Sequence, residues 1–206
     1  MTGTYLAGIA LGLALIIPIG AQNVFVINEA LKLGMPRALI PALTAAACDT
    51  LLIAIGAVGA SALLSKVPGV KTTLLVFGAG FLLYLGIQSL RSHQPDDDQQ
   101  VLVFKPIALI AKTIAVSLLN PHAILDTVGV IGTSIAAVPA ATRPTFAAGT
   151  MTGSLLWFLA ISALAATLSQ WLNPKRRRYV DMASGVILLV FAAILAIEAI
   201  RVLTVG

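Results

Sequence analysis

Six apolar runs set the terms on which this chain can fold. They cover roughly residues 5–28, 40–64, 69–90, 106–137, 145–170 and 179–203. A bilayer core about 30 Å thick takes about 20 apolar residues to cross as a helix. Lipid offers no hydrogen-bond partners, so an open chain can cross it only as a helix that satisfies its own backbone. The links between the runs are short, apart from the polar stretch 91–105 with Asp96, Asp97 and Asp98. Of the 206 residues, 59% are hydrophobic and 10% charged, and the mean hydropathy is +1.00. A soluble domain carries about 25% charged residues, so this chain has too little polar surface for water. It reads as an all-α integral membrane protein, one transmembrane domain over residues 1–206.

The net charge of +5 does not point to nucleic acid. The basic residues lie between apolar runs, where lipid headgroups and topology account for them. Connections 1–2, 3–4 and 5–6 hold Lys32, Arg37, Arg91, Lys105, Lys112 and Lys175 to Arg178, nine cations against four (Lys66, Lys71, Arg143, Arg201) on the opposite side. The positive-inside rule then places both termini outside and the 91–105 loop in the cytoplasm. The first run has no basic residue ahead of it and is too long for a signal peptide, so it is expected to be retained. Cys48 is the single cysteine, which excludes an internal disulfide or a dithiol relay. His93 and His122 lie far apart, and no spacing suggests a metal site or a bound cofactor. No GxxxxGK[ST] loop is present, so direct ATP coupling is not expected, and neither is an enzyme.

The chain divides at 91–105 into two halves, about 1–90 and 106–206. Shifted by 103 residues, Pro18 falls on Pro121, Asn23 on Asp126 and Asp49 on Thr152. Three spans per half give the halves opposite orientations, the inverted repeat of many transporters. The expectation is six helices in two inverted three-helix repeats, with helices 1 and 4 broken at proline. A proline inside a span removes a hydrogen bond and frees carbonyls that lipid cannot satisfy. Pro18 and Gly20 break IIPIGAQN, and Pro121 breaks NPHAILD. Gln22 and Asn23 can pair groups freed by the first break. Paired breaks of this kind point to a central binding site, although kinks that serve only packing would read alike.

Of eight acidic residues, Asp49 and Asp126 are the two expected at depth, where a charge costs about 2.5–3.5 kcal/mol by insertion scales. They could face a substrate cation, carry a proton, or bond a neighbouring helix. Glu29 and Asp181 fall near span ends. Asn120 belongs to the second break. His122, one turn before Asp126, is open to two readings, proton relay and structural histidine. Ala42, Ala46, Asp49, Ile53, Gly56 and Ala60 share a helix face, and with Gly8-x3-Gly12 and Gly149-x3-Gly153 they mark close packing. Such faces would permit a homodimer.

PIGAQNVFVINEALKLG at 18–34, CDTLLI at 48–53 with Gly56, LLNPHAILDTVGVIG at 118–132 and GTMTGSLLWF at 149–158 together resemble the lysine exporter (LysE) superfamily, and within it the lysine/arginine exporter branch. The resemblance covers nearly the whole chain. Neutral amino acid members tend to carry Pro-Gly-Pro in span 1, where this chain reads PIGAQ. The resemblance implies export of L-lysine or L-arginine across a bacterial inner membrane, driven by membrane potential and proton gradient. It implies that Asp49 and Asp126 handle substrate or proton. Rival readings are an exporter of neutral amino acids or of a metal cation, a thiol oxidoreductase (for which one cysteine is too few), and a non-transporting scaffold.

Overall fold

The computed structural model describes residues 2–58, 69–91, 104–120 and 124–205. These residues are helical throughout apart from short links, and none is in a strand. In chain order the helices are α1 (Thr2–Ile16), α2 (Ala21–Leu33), α3 (Leu39–Ala57), α4 (Val70–Arg91), α5 (Pro106–Leu118), a π-helical segment (Leu125–Ile131), α6 (Gly132–Ala137), α7 (Arg143–Leu168) and α8 (Pro174–Val205). Pro106, Pro144 and Pro174 sit in the first turns of α5, α7 and α8, where the missing N–H has no helical partner to lose. The side chain of Asn173 accepts from the backbone N–H of Arg176 at 2.9 Å and starts α8. Gly34 ends α2 at φ 62°, a conformation that favours glycine.

Helices α3, α4, α7 and α8 are each long and apolar enough to cross a membrane. The first apolar run is two helices, α1 and α2, meeting at 85° across residues 17–20. Taken as one broken span, this pair brings the number among the described residues to five. The run 106–137 contains two shorter apolar helices, Pro106–Leu118 and Thr127–Ala137, on either side of residues 121–123, which lie outside those described. Ala60, placed by its sequence spacing on the Asp49 face, also lies outside them, as does His93.

Glycines allow close helix contacts at several places. The two small-residue motifs of α1 and α7 meet each other. A Cβ on Gly8 would strike the backbone of Phe146, and one on Gly149 would strike the carbonyl of Tyr5. Gly86 of α4 packs on Leu189 and the Gly185 carbonyl of α8. Gly56 of α3 lies against Val128 and Gly132. Helix α3 also packs on α5 and α7, and α2 packs on α7 and α8.

Candidate functional site

The break between α1 and α2 opens onto a cavity of about 290 Å³. Pro18, Gly20, Gln22 and Asn23 line one wall, Asp49 of α3 another, and Asn120 and Thr127 a third. Phe158, Phe191 and Ile194 supply apolar surface. A mostly apolar concavity with a few converging polar groups is the usual form of a small-molecule site.

Pro18 follows the last turn of α1 and cannot continue it. Asn23 then folds back on the break. Its Nδ2 donates to the carbonyls of Ile16 at 2.8 Å and Pro18 at 3.2 Å. Its Oδ1 accepts from the Trp157 indole of α7 at 3.2 Å. Asn23 therefore satisfies freed carbonyls and ties the bend to another helix. Gln22, expected to share that task, instead donates from Nε2 to Asp49 Oδ1 at 3.2 Å. Neighbouring residues on a helix point about 100° apart, so one side chain reaches back to α1 while the other reaches across to α3.

Asp49 is 5% exposed. Its second oxygen accepts from Ser154 Oγ of α7 at 2.7 Å. Two donors from two helices thus hold a buried carboxylate at the cavity wall. Gly20 starts α2 in an extended conformation, with no side-chain cap. The first N–H groups of α2 consequently face the break, and a helix N-terminus of this kind attracts anions. One concavity has a buried carboxylate on α3 and a partly positive helix end on α2.

The structure brings Gln22, Asn23, Asp49 and Asn120 to one cavity, together with the helix-break residues Pro18 and Gly20. Pro121 and His122 lie outside the described residues. Asp126 belongs by its backbone to the π-helical segment, and its side chain is not among those described. Sequence reasoning missed Ser154, Trp157 and Thr127. Ser154 stands one residue past Gly153 of the small-residue motif, a position read only as packing surface. Thr152, which the 103-residue shift pairs with Asp49, has its hydroxyl 2.8 Å from that of Tyr5.

Asn23 gives a stability test. Asn23→Leu leaves the carbonyls of Ile16 and Pro18 without their side-chain donor, and a buried unsatisfied group costs about 1–3 kcal/mol. Trp157→Phe removes one interhelical bond, worth about 0.6 kcal/mol in a membrane protein. Thermal unfolding in detergent should rank Asn23→Leu well below Trp157→Phe. Equal melting points would mean that Asn23 does not brace the break.

The family model described as LysE type translocator matches residues 13–199. The chain is 39% identical over 203 residues to the protein named "Putative amino-acid transporter YggA" of Aeromonas salmonicida, covering 95% of this chain and 97% of that one. It is 35% identical over 193 residues to the arginine exporter protein ArgO of Pectobacterium atrosepticum, covering 91% and 94%. The ArgO protein of Yersinia enterocolitica is 36% identical over 190 residues, covering 90% and 92%. No solved structure matches.

Proposed function

The chain belongs to the LysE type translocator family, a family of transporters and not of enzymes, and on that premise we propose that it exports basic amino acids. The proposed substrates are L-arginine and L-lysine, carried outward across a bacterial cytoplasmic membrane in exchange for protons. The observation that carries this reading is the buried Asp49 carboxylate beside the open N-terminus of α2. A basic amino acid has a cationic side chain for the first and an α-carboxylate for the second. The names of the ArgO relatives favour the same substrate class.

The proposed frame is six spans in two inverted repeats, with run 106–137 as the second broken span. The contacts support it. Under the 103-residue shift α1 becomes α5 and α7 takes the place of α3, so the α1–α7 and α5–α3 contacts are one contact made by each half in turn. Gly86 touches Leu189, 103 residues away, as expected beside a two-fold axis. The excess of basic residues in 29–39, 91–105 and 173–178 favours an outward N-terminus.

Moving a monovalent cation outward against 100 mV, negative inside, costs about 2.3 kcal/mol. One proton entering for each cation leaving cancels that charge movement. Substrate and proton would compete for Asp49, and for Asp126 from the second half, while one half rocks against the other. Competition tests the substrate class. In proteoliposomes, counterflow of labelled L-arginine should fall in the presence of unlabelled arginine or lysine and persist in excess leucine or Mn²⁺. Inhibition by leucine or Mn²⁺ and not by lysine would replace this reading with a neutral amino acid or a metal exporter.

A further inference from the structure

A second polar cluster lies away from the cavity, on α2, α4 and α8. Lys32 of α2 pairs with Asp181 of α8 at 2.8 Å, the side chains being 34% and 11% exposed. With its amide oxygen turned to Lys32, Asn28 accepts from that ammonium at 3.2 Å and donates to Asp181 at 3.3 Å. Glu29 stands 3.7 Å from the Lys32 ammonium. Ser89 of α4 donates to the Asp181 carbonyl at 2.8 Å. Phe25, Asn28, Glu29 and Lys32 share one face of α2 by their spacing. Residue for residue, this is a costly arrangement, because desolvating two charges offsets much of their attraction.

Its register suggests what it is for. Gln22 and Phe191 line the cavity. Lys32 stands ten residues beyond the first and Asp181 ten residues before the second, each about 15 Å along its helix. Helices α2 and α8 therefore run antiparallel, with the cavity at one level and the ion pair at another. Phe25 and Leu188, each three residues from the cavity wall, lie between, both buried in one apolar cluster. Beyond the ion pair the chain reaches the turns at Gly34 and Ser169, which approach each other.

We infer that the Lys32–Asp181 pair, bridged by Asn28, is a latch closing the cytoplasmic side of the transport path, with Phe25 and Leu188 as the apolar plug behind it. It joins a helix of the first half to a helix of the second, so rocking one half against the other must break it. A packed apolar seam has no replacement partner when it parts, whereas separated ions regain water. Assignment of this side as cytoplasmic rests on the proposed orientation, and the need to open it rests on the proposed export.

The test uses the full chain with Cys48→Ala. Lys32→Cys and Asp181→Cys are introduced together and bridged by a short, reducible, bifunctional thiol reagent. Counterflow of labelled arginine should fall at least tenfold on bridging and return on reduction, with each single-cysteine variant indifferent to the reagent. A second reading needs no substrate. A Thr127→Cys reporter in the cavity is labelled by a membrane-impermeant thiol reagent from the side of residues 34–38. Lys32→Met, or Asp181→Asn should that variant fold poorly, should speed this labelling at least tenfold. Unchanged labelling, or bridged protein that transports at the unbridged rate, would overturn the latch. A parent protein that moves neither arginine nor lysine would sink the export reading instead, and the labelling would still decide the latch.

Discussion

Asp49→Asn is expected to lower arginine export to about one hundredth of the parental rate while the protein still folds. Two hydrogen bonds hold the carboxylate. Asparagine can keep its oxygen toward the Gln22 amide and turn its NH₂ toward Ser154, whose hydroxyl accepts as readily as it donates. The packing is isosteric and both partners of the side chain keep a hydrogen bond to it, so yield and melting point should stay near those of the parent. What is lost is the negative charge at the cavity wall. A hydrogen bond to a charged group is worth about 1.5–3 kcal/mol against about 1 for a neutral one, and 1.4 kcal/mol is tenfold. In the proposed exchange, loss of the group that carries the proton adds to the loss of cation binding. Asp126→Asn is expected to act in the same direction. Export by both variants at the parental rate would remove the two carboxylates from the mechanism.

The second large effect concerns assembly. Gly149→Leu should abolish a monodisperse folded protein, or lower its melting point by far more than any exposed substitution. A side chain at 149 must pass the Tyr5 carbonyl, and its Cβ would lie 3.2 Å from the Gly8 Cα. Both obstacles are backbone, so relief requires α1 to leave α7. Overpacking a fitted core costs about 1–3 kcal/mol, and here a whole helix contact is at stake. Gly80→Leu is the control, because its Cβ meets nothing within 4 Å, and its effect should lie within about 0.5 kcal/mol. Size-exclusion profiles and thermal melts of the two variants should diverge sharply. A Gly149→Leu protein as stable as the Gly80→Leu one would mean that α1 and α7 are not in this contact.

Much of this architecture is legible in the residues. Pro18 and Gly20 mark the break because proline cannot continue a helix, and Asn23 satisfies the freed carbonyls as its proximity allows. Composition alone requires helices in lipid. The 85° angle at the break is not legible, because apolar length does not distinguish a kinked span from two helices. The Gly8 and Gly149 motifs announce close packing but not that they face each other, since partner choice depends on tertiary arrangement. The same limit hid Ser154 from Asp49. It also hid the Lys32–Asp181 pair, as Lys32 and Asp181 each read as an ordinary residue near a span end until α2 and α8 are set side by side.

Gradient-driven flux through the parent protein decides between proton-coupled export and its rivals. Purified protein is reconstituted with labelled L-arginine or L-lysine on one side of the membrane and a proton gradient imposed across it. Basic amino acid should move against the direction of proton flow, at a rate that rises with the gradient and falls to slow equilibration when the gradient is collapsed. Equal flux with and without the gradient would contradict proton exchange. The absence of arginine and lysine flux from folded protein would contradict the substrate assignment itself.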